Sequence, residues 1–89
     1  MERRVVTQME QTASGLALVF MLPFAPSDLL AAQVCGALGF PVIYEERRIQ
    51  VLIGRPLARE ERARIELAFE EVLRKFQETR HLRVQREGR

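Results

Sequence analysis

Tryptophan and asparagine are absent from this 89-residue chain, and cysteine, histidine, tyrosine, lysine and aspartate each occur once. With Cys35 alone there is no intrachain disulfide, which fits a reducing cytoplasm better than a secreted scaffold. His81 and Cys35 lie far apart in sequence and offer no metal-ligand spacing, so neither a metal nor a cofactor is expected. Cys35 sits among apolar neighbours with no base or cation nearby, the setting of a buried, inert thiol. His81 follows a charged helical segment and suits the last carbonyls of a helix better than proton transfer. The carboxylate pairs Glu45-Glu46 and Glu60-Glu61 are adjacent in sequence, so their members point to different sides of a strand or helix. No catalytic residue is assigned, and the balance leans away from an enzyme.

Charge is missing from one half of the chain. From Gln11 to Tyr44 the only charged residue is Asp28, whereas Glu45 to Arg89 carries 21 charges in 45 residues. A domain this small has more surface than its own core can hide, so a long uncharged stretch implies burial against a second copy. The purest apolar run, Gly15 to Phe24, is about half the roughly 20 residues a membrane span needs. Glu2 and Glu10 interrupt the basic lead-in that an export signal would show. A cytoplasmic homo-oligomer is therefore expected, with no membrane partner. Arginine and glutamate dominate the charge, a usage that resembles chains from high-temperature or GC-rich hosts.

The apolar and polar pattern divides the chain into seven elements. Arg4 to Thr12 alternates loosely as a strand, although Val5, Met9 and Ala13 also fit a helical spacing. After a Ser14-Gly15 turn, Leu16 to Leu22 is a continuous apolar run that suits a central strand covered on both faces. Ser27 and Asp28 open a helix that Gly39 closes, and its L-L-A-A-Q-V-C-G-A-L sequence predicts cover on more than one side. Pro41 to Glu46 and Arg48 to Ile53 form a hairpin, with Ile49, Val51 and Ile53 on one face. Pro56 to Arg80 is a helix whose stripe is Ile65, Ala68, Phe69, Val72, Leu73 and Phe76. Its outer side carries the four-residue pairs Glu60/Arg64, Glu70/Arg74 and Glu71/Lys75. His81 to Arg86 alternates and reads as a closing strand.

The order β-β-α-β-β-α-β predicts a single α+β domain over 1–89. Its last six elements match the split βαββαβ plan of ferredoxin-like folds, an antiparallel sheet with two helices on one face, preceded here by an extra N-terminal strand. That plan conflicts with itself here, because the Leu16 to Leu22 strand is already flanked on both sides and leaves no place beside it for the first strand.

Three functions are compatible with these features. A non-enzymatic interaction module, self-associating through its apolar half and a sheet face left open by the helices, alone explains the segregation of charge. A nucleic-acid binder would use an arginine-bearing sheet edge, with Arg47, Arg48, Arg83 and Arg86 as contacts and Tyr44 as the one base-stacking ring. A net charge of +2 is thin support for it. An enzyme or small-ligand binder would need a site formed between subunits. The Gly36 to Gly39 spacing of a KH loop lacks a basic flank, and the hairpin resembles a winged-helix wing only as any helix followed by a hairpin does.

Overall fold

The computed structural model describes the backbone of residues 5–87, with side chains over 5–77. It is an α+β fold in which a four-stranded antiparallel sheet packs against two helices. In chain order the elements are β1 (Val6–Thr12), β2 (Gly15–Met21), α1 (Asp28–Leu38), β3 (Val42–Glu45), β4 (Arg48–Leu52) and α2 (Arg59–Glu87). The strands lie in the order β1-β2-β4-β3.

β2 is central because its side chains leave no other place for it. Ala17, Leu18, Val19 and Phe20 are all fully buried, as expected for an uninterrupted apolar run with neighbours on both edges. β1 folds back on it as a hairpin, with Val6 opposite Met21 and Thr12 opposite Gly15. On the other side Ala17 to Met21 pair with Leu52 to Arg48 of β4. β4 ends where Ile53 and Gly54 both donate their amides to the Leu16 carbonyl, at 3.0 and 2.9 Å, and Gly54 takes a φ of +83° that turns the chain out of the sheet. The β3–β4 hairpin turns on Glu46 and Arg47. Glu46 adopts a φ of +56°, a left-handed conformation usually given to glycine or asparagine.

α1 has the caps its sequence specifies. Ser27 is extended at φ −124°, and its hydroxyl accepts from the Leu30 amide at 3.3 Å. Gly39 closes the helix at φ +80°, donating its amide to the Cys35 carbonyl at 2.9 Å. Within this chain only one side of α1 is covered. Leu30, Ala31 and Val34 are buried, while Leu29, Ala32, Gln33, Cys35, Gly36 and Ala37 are exposed. Cys35 is therefore an exposed free thiol and not the buried one expected. It falls one position beyond Val34, and about 100° of helical rotation carries it to the outer side.

Two further expectations need correction. α2 does not stop at Arg80: its backbone continues to Glu87, and no strand forms at His81 to Arg86. Leu82 and Val84 alternate with polar residues too briefly to overcome a run of Gln, Glu, Arg and Leu with no glycine or proline before Gly88, and extending an existing helix fixes one residue per hydrogen bond gained. The edge position beside β2, where a closing strand would have paired, is held by β1. That removes the conflict over the N-terminal strand. His81 consequently lies within α2 and at no helix–strand junction.

Both helices cover the same sheet face. Leu30 and Val34 of α1 and Phe69 and Phe76 of α2 form one core with Leu18, Phe20, Leu22, Ile49 and Val51. At its centre the rings of Phe20 and Phe69 stack at 3.9 Å between centroids and 15° between planes, both fully buried. Removing a ring from that stack leaves a void the backbone cannot close. Phe69→Ala is expected to cost about 3–5 kcal/mol in denaturant unfolding, whereas Glu70→Ala, on the exposed side one position later, should stay within about 0.5 kcal/mol. Comparable costs for the two would mean that α2 is rotated from the phase described.

Candidate functional site

Because side chains alternate along a strand, the sheet presents a second face on which neither helix lies. The register places Val6, Gln8 and Glu10 of β1 on it, with Ala17, Val19 and Met21 of β2, Arg48, Gln50 and Leu52 of β4, and Ile43 and Glu45 of β3. Across the sheet these fall into rows: Val6, Met21, Arg48, Glu45, and then Gln8, Val19, Gln50, Ile43.

The middle of this face is closed by a polar strap. The Arg48 guanidinium donates to the Glu10 carboxylate at 2.5 Å, reaching from β4 across β2 to β1. The side-chain amide of Gln8 donates to the other Glu10 oxygen. Beneath the strap Ala17 and Val19 have no exposed surface although no helix covers them. Arg48 Nε is buried and has no hydrogen-bond partner among the described residues, so the guanidinium is anchored through Glu10 alone. At the two ends of the face apolar side chains emerge, with the exposed carboxylate of Glu45 beside them on β3. Val6 is 60% exposed and Met21 40% beside the β1–β2 edge, and Ile43 is 42% exposed on β3.

A second set of polar contacts ties α2 to the outer edge of β1. Arg62 donates from Nε to Glu66 at 2.9 Å and from Nη2 to the Thr7 carbonyl and hydroxyl oxygens at 3.1 and 3.0 Å. The Thr7 hydroxyl in turn donates to Glu66 at 2.7 Å. Partial burial pushes the Glu66 carboxyl up, but the Thr7 hydroxyl and Arg62 outweigh it and leave the group below its ordinary value. At the start of α2 Glu61 accepts both Nη groups of Arg55, at 3.0 and 2.8 Å, and the Ala58 amide at 3.2 Å. Arg55, followed by the Ala58 amide, holds the Glu61 carboxyl down to about 2. Ion pairs along α2 include Arg62 with Glu66 and Arg74 with Glu71, while Arg64 makes no ion pair among the described residues, Glu60 included.

The four arginines proposed for nucleic acid are not gathered in one place on a sheet edge. Arg47 is exposed in the β3–β4 turn and Arg48 is held by Glu10. Arg83 and Arg86 belong to α2, with side chains outside the described residues. Tyr44 lies on the helix-covered face, packs against the core, and donates its hydroxyl to Asp28. The acceptor Asp28 first, then burial and the aspartate charge, raise the Tyr44 phenol above its ordinary value. Among the described residues no group of His, Cys, Asp and Glu is placed to hold a metal ion, and no helix is long and apolar enough to cross a membrane. The fold and this face define a small α+β antiparallel-sheet protein. No protein-family model matches the chain, and no curated protein or solved structure matches it.

The strap and the Glu61 contacts each have a measurable consequence. Glu10→Ala leaves a half-exposed guanidinium uncompensated above Val19 and should cost about 1–2 kcal/mol in urea unfolding. The exchange Glu10→Arg with Arg48→Glu restores the pair and should recover most of that loss, whereas an additive effect of the two changes would show that the strap does not couple the strands. The folded Glu61 carboxyl lies below its value in an unfolded chain, so its stabilising effect is fully present above about pH 4.5 and is lost as the pH falls toward 2. The melting temperature of Glu61→Gln is accordingly expected to vary less over that window than that of the natural chain.

Proposed function

We propose that this chain is a non-enzymatic interaction module that forms a homodimer by packing the open faces of two sheets together. The observation that carries this reading is the placement of the exposed apolar side chains: of the five large ones among the described residues, Val6, Met21 and Ile43 share the sheet face that no helix covers. The other two, Leu29 and Leu67, stand apart on α1 and α2.

The geometry suits a two-fold axis. A rotation about an axis parallel to the strands lays β1 of one copy over β3 of the other and β2 over β4, so Val6 comes over the Glu45 end of β3, one row from Ile43, and does so twice. This is the reciprocal contact that an isologous interface requires. The Glu10–Arg48 strap is neutral as a pair, so two copies can approach without like charges confronting each other at the centre. Four strands about 4.8 Å apart and about 20 Å long present roughly 400 Å² in projection, a face of the small class of interfaces and below the roughly 800 Å² per partner of a standard one.

Edge-to-edge pairing is less well supported. In antiparallel pairing every second residue of β1 turns its backbone groups to the free edge, and the Thr7 carbonyl there is already taken by Arg62. The other edge strand, β3, has only four residues. Past Asp28 the outer side of α1 is uncharged but, Leu29 apart, offers small side chains, Gln33 and Cys35. Nucleic-acid binding loses its support on the same face: no aromatic ring stands on it, and Arg48, its one cation, is committed to Glu10.

The strand order is consistent with a rearranged ferredoxin-like sheet. β4 lies between β2 and β3, as in a split β-α-β unit, and β1 stands at the edge where the closing strand of that plan belongs. A lone free thiol accords with work in the cytoplasm.

Light scattering at micromolar concentration should give about twice the chain mass of 10.3 kDa. Met21→Glu and Ile43→Glu should each shift the population to monomer without unfolding it, and Leu67→Glu should not. A strict monomer across a wide dilution series, or dissociation by Leu67→Glu alone, would contradict the proposal.

A further inference from the structure

On the helix side, opposite the proposed dimer face, a cleft of about 350 Å³ opens between the last turn of α1 and the first turns of α2. Its floor is apolar. Leu38, Phe40 and Ile65 rest against the core on one side and show the cleft their other side, with Ala68 between them. This volume lies at the lower end of small-molecule sites, and its make-up follows their usual plan of apolar walls with a few polar groups at one end.

The polar end is cationic. Arg55, Glu61 and Arg64 line it together. Glu61 is fully engaged, accepting both Nη groups of Arg55 and the Ala58 amide. Arg64 makes no hydrogen bond or ion pair among the described residues. Arg64 therefore acts on Glu61 only through its charge, without a contact, and the three charged groups lining the cleft leave one positive charge in excess, above a floor to which an aliphatic chain can adhere.

We propose that this cleft binds a small amphipathic anion, a medium-chain carboxylate, with its alkyl chain on Leu38, Phe40, Ile65 and Ala68 and its carboxylate on Arg64. Apolar contact provides a non-directional attraction for the chain. The guanidinium selects the end of the ligand, because a charge-assisted bond to carboxylate is about twice as strong as a neutral one. Arg55 is held in place by Glu61 and widens the positive rim without closing it. The sheet-face dimer is not required for any part of this, since the cleft and that face lie on opposite sides of the sheet.

The test is a titration of the full chain with octanoate, followed by amide chemical shifts, with octan-1-ol as the uncharged control. Octanoate should give saturable shifts centred on Leu38, Phe40, Ile65 and Ala68. Octan-1-ol should bind roughly tenfold more weakly, and Arg64→Gln should weaken octanoate by a similar factor without altering octan-1-ol. Because Arg64 is exposed, that variant should keep the natural spectrum elsewhere. Ala68→Leu, which fills the floor, should weaken both ligands. Equal affinity for octanoate and octan-1-ol, shifts confined to the Val6, Met21 and Ile43 face, or no saturable shift at millimolar ligand would each overturn the proposal.

Discussion

The stack of Phe20 on Phe69 fixes the arrangement of everything around it. Phe20 lies in the central strand and Phe69 in the first half of the long helix, so the contact sets both the height and the rotation of α2 over the sheet. With Phe69 turned inward, Arg62 and Glu66 fall over the edge of β1 and Leu67 faces away. Phe76, two turns later, completes the same core. α1 then has one remaining place, beside α2, where Leu30 and Val34 reach the same cluster. The cost of this economy is an uncovered sheet face, since both helices lie on one side of the four strands and, among the described residues, no element lies on the other.

How that second face is finished is the main physical result. Its central residues, Ala17 and Val19, would be exposed on a bare sheet, yet they are sealed by side chains reaching over from the neighbouring strands. The Glu10–Arg48 pair crosses β2 and joins the two strands beside it, so the polar groups that keep the face soluble also brace the sheet. Polar cover stops short of the corners, and there Val6, Met21 and Ile43 remain open to solvent. This face, with its paired polar centre, the exposed carboxylate of Glu45 and its apolar corners, is the surface we propose packs against a second copy.

Much of this was legible in the sequence where a local pattern had one physical solution. The apolar run ending at Pro23 could only be a central strand, Ser27 and Gly39 could only cap a helix, and the three- and four-residue steps from Ile65 to Phe76 placed Phe69 in the core. The helices were expected on one face, with the other open. The C-terminal end of α2 is not legible, because Leu82 and Val84 alternate over too short a stretch to tell strand from helix, and the helix already running through Phe76 decides between them. The exposure of Cys35 is not legible either, because composition describes a helix as a whole, whereas exposure depends on the phase of each residue. The strap was not legible at all: Glu10 and Arg48 are 38 positions apart, and nothing short of the strand order brings them together.

The account turns on whether the open face is covered in solution. The most direct measurement is the broadening of side-chain methyl signals by a soluble paramagnetic probe at protein concentrations where the dimer is populated. Burial against a second copy predicts that Val6, Met21 and Ile43 are shielded and become accessible on dilution, while Leu67, 65% exposed on the outside of α2, is broadened throughout. Equal broadening of all four at every concentration would contradict it.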